Sequence, residues 1–121
     1  MKRKEKGRRG EELAAQFLKD HGYTILKRNF LWKRGEVDII AKKNKELSFV
    51  EVKTYDEIDF SEIEYALNRD KRKRIINTSQ YFLFCYPDYR NCRIKFSLIF
   101  INLDSNRIRY IENAFTENGV P

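Results

Sequence analysis

Histidine and cysteine are nearly missing from this chain, which has one His, at position 21, and two Cys, at 85 and 92. A tetrahedral zinc site needs four such ligands. Two thiols, with the single imidazole far away in sequence, cannot supply it. His21 stands just before Gly22, where a helix would end and where a His is commonplace; that excludes it as a catalytic base. The thiols are read as reduced and without catalytic role. Five Gly and two Pro are too few for a linker or a low-complexity tract, and no internal repeat is visible. No apolar run approaches the ~20 residues of a membrane span. The basic start Met1-Lys2-Arg3-Lys4 is not followed by the apolar segment of a secretory signal. These absences leave a cytoplasmic protein with no membrane partner as the expectation.

What is abundant is charge. Charged residues make up 36% of the 121 residues, with 25 Lys and Arg against 18 Asp and Glu and a net charge of +7; about a quarter charged is usual. The excess favours a polyanionic partner, either nucleic acid or an anionic membrane surface. The 41% apolar content suits one globular domain over residues 1–121. Residues 1–9 read as a mobile basic arm and residues 116–121 as a mobile tail.

Apolar spacing predicts a helix over residues 10–21, from Leu13, Ala14, Phe17 and Leu18, with Gly22 as its stop. Strands are expected at 23–32, 36–42 and 46–54, the last two joined by a hairpin turn at Lys43-Asn44-Lys45. A second helical pattern covers 61–84, through Ile63, Ala66, Leu67, Ile75, Ile76, Phe82 and Leu83. The run Lys71-Arg72-Lys73-Arg74 inside it marks a break or an exposed face. Strands at 93–102 and 107–111 follow, turning at Asp104-Ser105-Asn106. The order α-β-β-β-α-β-β implies an α/β fold, one mixed β-sheet flanked by helices.

The hairpin carries the most specific chemistry. Side chains alternate along a strand, so Glu36, Asp38 and Ile40 share a face, as do Phe49, Glu51 and Lys53. Val37, Ile39, Val50 and Val52 are assigned to the core. A turn symmetric about Asn44-Lys45 sets Asp38 opposite Glu51 and Glu36 opposite Lys53; a three-residue loop would shift this. Opposed carboxylates repel, and a hard divalent cation such as Mg²⁺ or Mn²⁺ neutralises them well. The Val52 carbonyl could add an oxygen ligand. Lys53 is placed to orient a polarised water or to stabilise charge on a phosphate. A Glu-Val-Lys triplet also occurs as a plain solvated face. Glu11 lies at the edge of the first helix's apolar stripe, within reach of a site at the sheet edge; a Glu favoured by the helix dipole would look the same. The run 71–74 would contact phosphates with marked salt dependence, or form an ordinary solvated face.

With those residues set out, a resemblance is clear. Gly10-Glu11-Glu12-Leu13-Ala14, Gly22-Tyr23, Arg28-Asn29, Gly35-Glu36-Val37-Asp38-Ile39-Ile40-Ala41 and Phe49-Val50-Glu51-Val52-Lys53-Thr54 resemble the YraN family of small bacterial proteins. Lys71, Arg74-Ile75 and Asn113-Ala114-Phe115 extend the likeness over nearly the whole chain. The resemblance implies a PD-(D/E)XK restriction-endonuclease-like fold related to Holliday-junction resolvases. It implies Asp38, Glu51 and Glu11 as metal ligands, Lys53 as the catalytic lysine, Glu36 in support, and Lys71 on phosphate. Val37 stands at the superfamily's proline, Tyr55 replaces a basic residue, and Ser97 stands where the family usually has Asp. The function so implied is a Mg²⁺- or Mn²⁺-dependent endonuclease acting on structured or branched DNA, which on a two-fold junction favours a homodimer. The alternatives are a nucleic-acid-binding module that does not cut, and a protein-interaction adaptor.

Overall fold

Asn44 adopts φ 54°, a left-handed conformation that Asn tolerates well, and with Lys45 it closes a two-residue turn. Lys43 then pairs with Glu46 and Ile39 with Val50, the register expected from a symmetric turn. The computed structural model describes residues 3–55, 68–116 and 119. Its elements begin with helix α1 (Arg3–Asp20) and strands β1 (Thr24–Trp32), β2 (Gly35–Lys43) and β3 (Glu46–Tyr55). Helix α2 (Arg69–Cys85), a 3₁₀ turn at Pro87–Asn91, and strands β4 (Arg93–Asn102) and β5 (Arg107–Phe115) follow. The sheet order is β1-β2-β3-β4-β5. Among the described residues only β3 and β4 run parallel, the pairing that needs a long crossover, and α2 lies between those strands in the chain.

Three elements differ in extent from expectation. Helix α1 starts at Arg3, so the described part of the basic arm is helical, with Glu5 in the first turn complementing the helix dipole. Of the helix expected over 61–84, residues 61–67 lie outside the described residues. Asn68 caps α2, its side chain accepting from Asp70 N–H at 2.9 Å, so the run 71–74 opens the helix rather than interrupting it. Strand β5 continues to Phe115, and Thr116 bridges Gly119.

Both faces of the sheet are buried, as a sheet flanked by helices requires. Phe49, Ile40, Phe96, Leu98 and Phe100 pack with Ile75, Ile76 and Phe82 of α2. Ile39, Val50, Ile99 and Ile101 pack with Ala14, Ala15 and Leu18 of α1, and Val52 joins them. Val37 belongs to the α2 cluster, so the expected grouping of Val37 with Ile39 is corrected. Alternation slips by one position around Asp38. Opposite it in β1, Asn29 sits at φ 52° and drops out of the Cα pairing between Arg28↔Ile39 and Phe30↔Val37.

Two glycines set how closely the helices approach. A Cβ on buried Gly10 would fall inside Thr54 Cγ2, so the glycine lets α1 touch the end of β3. A Cβ on Gly35 would strike Thr78 Oγ1 and lie 2.9 Å from the Arg74 carbonyl oxygen. Each glycine precedes a glutamate, Glu11 or Glu36, and each close contact fixes where that glutamate stands.

Candidate metal centre

The paired hairpin register ends at Ile39↔Val50. Beyond it the Asp38 carboxylate takes up a backbone donor: Val52 N–H donates to Asp38 Oδ2 at 2.8 Å. An open pocket of about 350 Å³ lies here, lined by Glu36, Asp38 and Glu51 with Arg34, Lys71 and Arg74.

Glu11, Glu36 and Asp38 each bring one carboxylate oxygen within 4.8 Å of the other two. Two elements supply them: the start of the core-packed part of α1 and two alternate positions of β2. The Asn29 amide, oriented to meet both carboxylates, donates to Glu11 Oε1 and Glu36 Oε1 at 3.0 Å each. Its left-handed backbone is what carries it there. Arg28 pairs with Glu12 at 2.6 Å and more distantly with Glu11 at 4.0 Å.

Glu51 is only 8% exposed and is engaged elsewhere. Its Oε1 lies 2.7 Å from Lys71 Nζ. Lys71 also lies beside Lys53. The two amines divide the charge unequally. Burial, then the Lys71 charge, lowers the Lys53 pKa, with Glu51 and Asp38 opposing. Burial works against the Lys71 charge too, but Glu51 outweighs it and the Lys71 pKa is raised.

The carboxylates are under-neutralised. Burial and then Glu51 push the Asp38 carboxyl well above its ordinary range, against the Val52 hydrogen bond, and Glu11 and Glu36 add to the rise. Burial, Glu11 and Glu51 push Glu36 up, with Lys71 opposing. A cluster of hard oxygen donors carrying excess negative charge has the donor chemistry of a Mg²⁺ or Mn²⁺ site. The three clustered groups could therefore hold a metal ion.

The sequence singled out Asp38, Glu51, Lys53 and Glu11, and these lie around one locality. Glu36, cast there as support, stands inside the carboxylate cluster. Asn29 and Arg34 were given no role; the hints of Asn29 were its place in the Arg28-Asn29 pair and its type, the non-glycine residue that most readily takes positive φ. Of Val52 it is the N–H, bound to Asp38, whose role is visible. The run 71–74 does not form one patch: at ~100° per residue it fans around α2. Lys71 and Arg74 line the acidic pocket, whereas Arg72 and Lys73 line a separate hollow with Arg69 and Gln80. Ser97 is buried, its Oγ accepting from Asn113 N–H at 3.1 Å and meeting Ser48 Oγ at 3.3 Å. It anchors the β4–β5 irregularity between Phe96 and Leu98. Tyr55 packs edge-on against Phe100. His21 Nδ1 lies 2.8 Å from the Phe17 carbonyl, and Cys85 and Cys92 are unpaired. No described helix is long and apolar enough to cross a membrane.

Comparison with known proteins gives a consistent relationship. The model of the uncharacterised protein family UPF0102 matches residues 10–101. A UPF0102 protein of Clostridioides difficile is 40% identical over 115 residues, spanning 95% of this chain and all of the relative. One from Caldicellulosiruptor saccharolyticus is 38% identical over 119 residues, with 95% and 100% covered. One from Persephonella marina is 36% identical over 110 residues, with 91% and 92% covered.

Proposed function

The chain belongs to the UPF0102 family, and from that premise we propose that it is a metal-dependent endonuclease of the PD-(D/E)XK kind, cutting structured or branched DNA. The observation that carries the reading is the convergence of Glu11, Glu36 and Asp38 beside a lysine, Lys53, whose burial and cationic neighbour lower its pKa.

In this reading Glu11, Glu36 and Asp38 hold one divalent cation, which when bound supplies Lewis-acid polarisation at the scissile phosphate. Val52 N–H orients Asp38. Lys53, held nearer its neutral amine form, accepts a proton at Nζ from the attacking water. Lys71 keeps Glu51 in place through the 2.7 Å pair and presents positive charge toward the pocket. Arg34 and Arg74, at the pocket wall, steer the DNA backbone.

The test is a cleavage panel of single-stranded, duplex, flapped and four-way DNA with Mg²⁺ or Mn²⁺. Cutting is expected to need the metal and to vanish in Asp38→Ala and Glu36→Ala while the fold persists. Failure of the wild-type protein to cut any member under either metal overturns the reading.

A second reading, a binding module that keeps the fold without cutting, is favoured by the Glu51–Lys71 pair, which occupies a second carboxylate. It predicts salt-sensitive DNA binding lost on neutralising residues 71–74 and indifferent to Glu51→Ala.

A further inference from the structure

Strand β1 ends at Trp32, which pairs with Gly35 across the turn Lys33-Arg34. The Trp32 ring lies stacked on Tyr81 of α2, centroids 5.0 Å apart and planes 15° from parallel. Tyr81 continues the row to Phe84, at 6.4 Å and 24°. Tyr81 also packs against Phe30 at the margin of the core, centroids 6.2 Å apart, and from there the rings run outward. Phe82, between them in sequence, is buried, whereas Phe84 is 70% exposed. Exposed aromatic surface is costly unless a partner covers it.

Cations frame the row. Lys33 Nζ lies over the Trp32 ring, 4.6 Å from its centroid, on a flexible side chain that a stacking base would displace. Trp32, Lys33, Arg34, Gly35, Arg74 and Thr78 line a hollow of about 250 Å³, and Arg34, Gly35 and Arg74 also line the acidic pocket. The hollow beside Trp32 therefore borders the acidic pocket, with Arg34 and Arg74 lining both. The turn has a further peculiarity. Among described non-glycine residues at positive φ, four are asparagines and the fifth is Lys33, at 53°. Asn would hold this conformation more cheaply, so a cation stands here against the local backbone preference.

Stacked rings alongside cations are the general apparatus for holding unpaired nucleotides, because every base has a π-face. We propose that Trp32, backed by Tyr81 and Phe84, is a stacking platform for an unpaired base, with Lys33, Arg34 and Arg74 leading the attached phosphates to the acidic pocket. The substrate class is then nucleic acid with a single-stranded stretch beside the cut. This inference rests on the nuclease reading and narrows it.

Trp32 is the only tryptophan of the chain, so its fluorescence reports on the platform directly. The intact protein is titrated, without Mg²⁺ or Mn²⁺, with an oligothymidylate of about a dozen nucleotides, with the matching oligouridylate, and with heparin, which has charge but no bases. Quenching by either oligonucleotide and not by heparin is expected. With a fluorescein-labelled oligothymidylate, Trp32→Leu and Phe84→Ala should each bind about tenfold more weakly while heparin binding is unchanged. Lys33→Asn should melt higher yet bind more weakly. Equal quenching by heparin overturns the platform, as does wild-type affinity in Phe84→Ala, whose exposed position keeps that test independent of folding. Trp32 fluorescence that follows protein concentration rather than oligonucleotide also overturns it, in favour of a second copy on this face. Cutting without quenching sinks the platform alone; quenching without cutting on the full panel sinks the nuclease reading alone.

Discussion

Val52 donates its backbone N–H to Asp38 Oδ2 at 2.8 Å, just where the β2–β3 pairing stops. A side-chain carboxylate thus takes up a strand donor as the hairpin opens. The arrangement is costly without a cation, because burial and Glu51 push the Asp38 carboxyl up against the one bond that favours its charge. Asp38→Asn keeps an acceptor for Val52 and removes the charge. It should stabilise the metal-free protein by about 0.5–2 kcal/mol, the usual gain from relieving a functional site. Thermal melts should show a rise of a few degrees, with the response to Mn²⁺ lost. A lower melting temperature in the variant would contradict the electrostatic account.

That bond also explains what the sequence could and could not disclose. The two-residue turn at Asn44-Lys45 sets the register through Ile39↔Val50, so the proximity of Asp38 and Glu51 was legible. Alternation alone could not show that the strand slips at Asp38, because the cause lies on another strand, in the left-handed Asn29. The slip sends Ile40 to the α2 face, leaving Glu36 and Asp38 with Glu11 of α1. Nor could periodicity reveal that Glu51 pairs with Lys71, since that depends on how α2 crosses the sheet. Which apolar residue faces which helix was equally hidden, because Val37, Ile39 and Ile40 are all apolar and any phase fits them.

Gly35 is the seat on which α2 rests. Gly35→Ala drives a methyl into Thr78 Oγ1 and toward the Arg74 carbonyl at 2.9 Å, and a backbone atom cannot step aside. A loss of about 1–3 kcal/mol is expected in urea unfolding, as for overpacking generally. Gly10→Ala meets only the Thr54 side chain, which can rotate, and should cost less. The reverse ranking would refute this packing.

Acid sensitivity should arise away from the pocket. Lys95 bridges Glu46 at 2.9 Å and Glu112 at 2.5 Å. Its hydrogen bond holds the Glu46 carboxyl below the ordinary 4.5. A depressed carboxyl contributes stability above its unfolded pKa and loses it as pH falls through the folded one. Lys95→Met should therefore lower the melting temperature at pH 7 and leave it unchanged near pH 3. Because Glu46 is only partly buried, high salt should shrink the difference. Equal losses at both pH values would indicate that the Lys95 side chain acts through packing alone.

The last prediction concerns the pair that closes the pocket. Lys71→Met leaves Glu51, 8% exposed, with its 2.7 Å partner gone. Removing one member of a buried pair costs about 3–5 kcal/mol; with Lys71 a quarter exposed, solvent screening reduces this to about 1–3 kcal/mol. Glu51→Gln in the same chain should recover most of the loss, giving a coupling energy of about 1–2 kcal/mol in a double-mutant cycle. Metal adds a further arm. With Lys71 gone, Glu51 becomes available to the neighbouring carboxylates, so Mn²⁺ should raise the melting temperature of Lys71→Met more than that of wild type. The extra rise should disappear in the Glu51→Gln double variant. If Mn²⁺ shifts all three proteins equally, Glu51 takes no part in binding the ion, and Glu11, Glu36 and Asp38 hold it without help.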